Sequence, residues 1–209
     1  SEITPRGFGD KGGQTAIVEN GTFLQSWLFA PSLGVRTQGF LTDADARRRQ
    51  GLPAERVEFE PSDPRATRQN DVHADWATSD ITVVTDADQT PIAPGRLVAS
   101  GVANGRRTAR FVSDQPILTA FSIQSARYAV RRAQHGKVAI AIYYHPGHQA
   151  NVERMIKAVE GGLDVFQVQF GPYQFDDLRI VEFPAYGDYA QSFAGTIPFS
   201  ENIGFVADM

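Results

Sequence analysis

Two apolar, β-branched runs bracket one amphipathic stretch, and that order restricts the possible folds more than any other feature. Val138–Tyr144 lies between His135-Gly136 and Pro146-Gly147, and Leu178–Phe183 follows Gly171-Pro172. Between them, Val152, Met155, Ile156, Val159, Leu163 and Phe166 fall at offsets 0, 3, 4, 7, 11 and 14. That is the apolar stripe of a helix packing on one face. Asn151 is placed to cap its start, with Glu153 in the first turn, where the helix dipole favours an acid. Gly161 and Gly162 each cost about 1 kcal/mol in a helix interior, so a bend or fraying is expected there. The three segments predict a β-α-β unit, with Phe193–Phe205 as further extended chain.

Upstream the texture is different. Thr22-Phe23-Leu24 follows the turn signal Asn20-Gly21, and Asp43–Gln50 reads as a short surface helix ended by Gly51. Pro61–Asp71 reads as a mobile loop. From Trp76 onward short strands alternate with turn residues. Leu97–Val102 and Thr108–Val112 flank Asn104-Gly105, the signature of a two-residue hairpin. Leu118–Ile123 and Arg127–Val130 follow as strands, a spacing that suggests an antiparallel sandwich. The expected architecture is mainly β with α: an antiparallel β-sandwich over 1–132, then the opening of an α/β unit over 133–209.

A chain of 209 residues suffices for one large domain or two small ones. Its 24 acidic and 20 basic residues leave a net charge of −4, which argues against a nucleic-acid partner. The absence of cysteine excludes disulfides, thiolate metal sites and a cysteine nucleophile. No apolar run reaches the roughly 18–20 residues of a membrane-spanning helix, and Ser1–Lys11 shows no secretory signal. The chain therefore reads as soluble. Gly195–Met209 stays apolar and strand-like to its last residue, so the chain also reads as a piece of a longer protein.

Four histidines remain as nitrogen ligands. His145 and His148 are separated by Pro146-Gly147, so they cannot share a regular helix face, and no carboxylate is expected to complete a metal site nearby. A strand-end turn, with His148 near the first turn of the helix, is the expected structure. Asp86-Ala87-Asp88 lacks the further oxygen ligands of a calcium loop and reads as a turn. Arg47–Arg49, Arg106-Arg107 and Arg131-Arg132 read as solvated faces. Tyr143, Tyr144, Phe166, Phe170 and Tyr173 are expected mostly in the core.

The order of several segments resembles a known family. Asp164-Val165-Phe166, Phe170-Gly171-Pro172-Tyr173 and Leu178-Arg179-Ile180-Val181-Glu182-Phe183-Pro184 run as in zinc aminopeptidases of the aminopeptidase N type. Pro198-Phe199-Ser200-Glu201-Asn202 stands where that family carries G-x-M-E-N. Trp76–Val84 and Ile92–Phe111 resemble the last strands of its saddle-shaped N-terminal β domain. Tyr143-Tyr144-His145-Pro146-Gly147-His148 and Ala194-Gly195-Thr196-Ile197-Pro198-Phe199-Ser200-Glu201 resemble a bacterial branch fused to ABC transporter permease segments.

The resemblance implies that residues 133–209 open a thermolysin-like catalytic domain. It implies substrate-binding roles for Glu201, Asn202, Ser200 and Phe199, with Glu201 pairing with the protonated amine of a peptide and the Pro198–Ser200 backbone pairing with the substrate main chain. The family's zinc rests on H-E-x-x-H, a pattern this sequence does not contain. Zinc is thus expected in the full-length parent, and no catalytic or metal-binding residue in this chain. The implied parent is membrane-associated through segments outside this chain, which forms an extramembrane part on the extracytoplasmic side. Exposed strands and a helix face would favour self-association of the isolated piece. Pro198, Phe199 and Ser200 replace the family's Gly, small residue and Met. That departure favours the alternative: a non-catalytic, peptide- or partner-binding module of an ABC transporter permease.

Overall fold

A computed structural model describes residues 16–18, 20–30, 41–55, 59–60, 62–65, 76–185 and 187–206. In chain order the first strands are β1 (Ile17–Val18), β2 (Gly21–Gln25), β3 (Trp76–Ala77), β4 (Asp80–Asp86), β5 (Thr90–Ile92), β6 (Arg96–Ala103) and β7 (Arg106–Val112). They are followed by β8 (Ile117–Leu118), β9 (Ser122–Ala126), β10 (Ala129–His135), β11 (Val138–Tyr144), β12 (Asp177–Phe183) and β13 (Thr196–Ser200). The α-helices are α1 (Ala44–Arg49) and α2 (Val152–Phe170). The protein is mainly β with α, as the sequence predicts. The expected loop at 61–71 falls largely outside the described residues.

The first half is antiparallel. One sheet has the order β1-β2-β9-β5, another β4-β7-β6, and β3 pairs with β8. Ala109 and Phe111 of β7, with Ile81 and Val83 of β4, pack against Ala93, just after β5, and Ile123 of β9, which gives the layered arrangement of a sandwich. The β6–β7 hairpin closes between Ala103 and Arg106. Asn104 and Gly105 both take positive φ, 51° and 72°, as a type I′ turn demands. Gly105→Ala should therefore cost about 1 kcal/mol, read as a lowered urea midpoint; an unchanged midpoint would contradict the turn. Asp86 and Asp88 do form a turn, and their carboxylates pair with Arg106 and Arg127. Asp43 caps α1, accepting from the Ala46 N–H at 2.7 Å.

The second half is one sheet in the order β10-β11-β12-β13. β10 and β11 form an antiparallel hairpin; β11, β12 and β13 run parallel. α2 is the crossover between β11 and β12, and it runs unbroken through Gly161 and Gly162. Val152, Met155, Ile156 and Leu163 pack on Val138, Ile140, Ile142, Leu178 and Ile180. β12 is buried on both faces, the reason its sequence runs apolar without alternation. Because β10 opens at Ala129, this sheet takes in residues on both sides of the expected boundary at 132.

Three local expectations are corrected. Phe166 and Phe170 are exposed, Phe170 by 80%. A helix of 19 residues is about 28 Å long, whereas a seven-residue strand spans about 23 Å, so the last turn overhangs the sheet. Asn151 does stand at the N-cap position of α2, but its side chain makes no capping bond; it donates to the Gly204 carbonyl at 2.9 Å. The extended chain ends at Ser200. Glu201–Phe205 forms a single π turn closed by the Val206 N–H on the Glu201 carbonyl at 3.0 Å.

The halves are tied by packing and by polar straps. Phe23, Ala126 and Phe183 form one buried cluster with Tyr128 and Tyr189 beside it. Arg179, buried on β12, donates to the carbonyls of Ala93 and Gly95, both at 3.1 Å, and pairs with Asp177. Among the described residues no helix is long and apolar enough to cross a membrane.

Candidate functional site

In open α/β sheets, ligands bind beyond the carboxyl ends of the parallel strands. Here those ends are Tyr144, Phe183 and Ser200, and the chain places a polar residue at each. His148 lies in the turn after β11, Glu182 in the last turn of pleat of β12, and Glu201 directly after β13. All three are buried, with 5%, 0% and 7% of their surface exposed. One donor atom from each lies within 4.8 Å of the others.

The local sequence explains the arrangement. In His145-Pro146-Gly147-His148 the His148 N–H donates to the His145 carbonyl at 2.8 Å, a turn for which proline at the second position presets φ. The turn presents two groups to Glu182. The His145 N–H donates to Oε2 at 2.6 Å, and His148 Nδ1 lies 2.5 Å from Oε1. The ring centroids of His145 and His148 lie 4.7 Å apart, the planes tilted by 40°. From β13, Glu201 Oε1 accepts the Ala185 N–H at 2.8 Å.

Burial pushes the Glu182 carboxyl up to about 7, against the pull of the His148 contact and the His145 N–H. The Glu201 charge adds to the rise. Two carboxylates and one imidazole thus share a dry site that favours positive charge or a proton. By type the three donors suit a divalent cation. Glu182 is held by His148 and by the His145 N–H, and Glu201 by the Ala185 N–H. The H-E-x-x-H pattern on which the resembling family holds zinc does not occur in this sequence.

The candidates from sequence are separated by the fold. Glu201 is buried in the cluster. Ser200 is buried, and its Oγ accepts the Asn202 N–H at 3.4 Å. Phe199 packs instead in the core beneath α2, edge-on to Phe205. Asn202 faces outward and donates to Asp188 at 3.0 Å. The expected strand addition at Pro198–Ser200 is also corrected. The chain's own segment covers that edge, with Gln191 N–H on the Pro198 carbonyl at 3.1 Å and Ser200 N–H on the Tyr189 carbonyl at 3.0 Å. Covering an open edge removes a liability for aggregation.

Sequence reasoning missed His148 and Glu182 as members of a site. The signal was present: a glutamate within the apolar run Leu178–Phe183 must be buried, and a buried carboxylate needs partners. Among known proteins, no family model matches the chain and no curated protein is significantly similar to it.

Proposed function

We propose that this chain recognises the amino terminus of a peptide, as part of a zinc-aminopeptidase-like protein attached to a membrane through ABC transporter permease segments. The supporting observation is the buried His148–Glu182–Glu201 cluster at the carboxyl ends of three parallel strands, together with the sequence resemblance around Glu201. Glu201 pairs with the α-ammonium; its held oxygen, on the Ala185 N–H, fixes the carboxylate's orientation. A charge-assisted contact of this kind contributes about 1.5–3 kcal/mol. The chain supplies recognition, and its own residues supply no metal-assisted cleavage.

Trialanine should bind the chain, N-acetyl-trialanine should not, and Glu201→Gln should weaken trialanine binding about tenfold or more, measured by calorimetry. Equal binding of the free and acetylated peptides would exclude amine recognition. The second reading, a non-catalytic peptide- or partner-binding module of a permease, is favoured by the covered β13 edge. Under that reading acetylation changes nothing while binding persists.

A further inference from the structure

We propose that Glu182 is a second carboxylate of the amine site and that it holds, with His148, one proton that leaves as the ammonium enters. The inference rests on the amine-recognition reading and adds to it a residue and a proton linkage.

The geometry carries the argument. Glu182 and His148 are buried together, their side chains exposed by 0% and 4%, at 2.5 Å. The contact is a hydrogen bond in which either the imidazole or the carboxyl carries the proton. Glu201 brings a second carboxylate within reach of both. With both acids ionised and the imidazole neutral, two negative charges would occupy one dry site. Burial makes that state costly, so the resting cluster keeps a proton. An incoming ammonium supplies the same positive charge. Placed among Glu201, Glu182 and His148, it makes loss of the resident proton easier, and binding and deprotonation become linked.

Other groups face this pair. From the turn after β11, His145 contributes its backbone N–H to Glu182, and its ring lies tilted beside that of His148. From the link between β9 and β10, Tyr128 donates its hydroxyl to the Glu182 carbonyl at 3.0 Å. Beyond β13, Asp188 is engaged by Asn202. The position of the Glu182 carboxyl, near 7, puts the exchange in an accessible range.

Calorimetry of trialanine binding at pH 6, in buffers of differing ionisation enthalpy, counts the protons released. At that pH the α-amine of the peptide is fully protonated, so any release comes from the protein. We expect about half to one proton released per peptide on the unaltered chain. Glu182→Gln should abolish the release and weaken binding about tenfold or more. A clear preference for the free amine with no proton released would overturn the inference and leave amine recognition standing. Loss of that preference would remove both. Displacement of trialanine by Zn2+ or Mn2+ from the unaltered chain, but not from Glu182→Gln, would put a metal where the proton is placed and overturn it too.

Discussion

The chain should lose stability as pH rises through about 7, and Glu182→Gln should remove that loss. The Glu182 carboxyl, ordinarily near 4.5, is raised to about 7 by burial. Between those values the folded chain keeps a proton that the unfolded chain gives up. Its contribution is complete below about 4.5 and disappears as pH passes the folded value. The difference corresponds to about 3 kcal/mol. Urea midpoints at pH 5, 6, 7 and 8 should fall for the natural chain and stay level for the amide. Parallel curves would show that the carboxyl is not held protonated by the fold.

Other acids act in the opposite direction. Asp80, Asp88 and Glu153 are held below their ordinary values by hydrogen bonds from Arg110, Arg127 and Arg131. Their stabilisation is present above those ordinary values and fades as pH falls. These pairs are exposed, and each contributes little.

Gly21→Ala should destabilise the first half by about 3 kcal/mol or more. A Cβ built at Gly21 lies 2.1 Å from the Ser125 carbonyl oxygen and 2.7 Å from the Ala126 Cβ. Both obstacles belong to β9, which pairs with β2 through Gly21 and Ala126. Backbone cannot swing aside as a flexible side chain can, so the strands must part and Phe23 must leave its cluster. Gly101→Ala is the matched control. On exposed β6 a Cβ there meets nothing within 4 Å, and reduced freedom of the unfolded chain should leave stability unchanged or slightly raised. Equal midpoints for the two variants would refute the close approach.

The β11–α2–β12 unit was legible because its periodicities are strong and its boundaries carry glycine and proline. The Asn104-Gly105 hairpin was legible because its turn chemistry is local. Phe166 and Phe170 misled because offset along a helix does not reveal where the underlying sheet stops. The turn at Glu201–Phe205 was hidden by the alternation of Ile197 and Phe199 before it, too short a run to separate strand from helix. The site could not be assembled from spacing. His148 and Glu182 are 34 residues apart, and only parallel pairing of β11, β12 and β13 brings their ends together.

The passage from β9 to β10 is short: only Arg127 and Tyr128 separate Ala126 from Ala129. Tyr128 is wedged edge-on between Phe23 and Tyr143, and its hydroxyl holds the backbone of Glu182. The junction therefore works as a splice and leaves no slack for a swivel. A trimmed version carrying only the α2-bearing sheet has to start upstream of Tyr128. Beginning at residue 133 would split β10 and strip the bracing from the carbonyl that carries the buried acid.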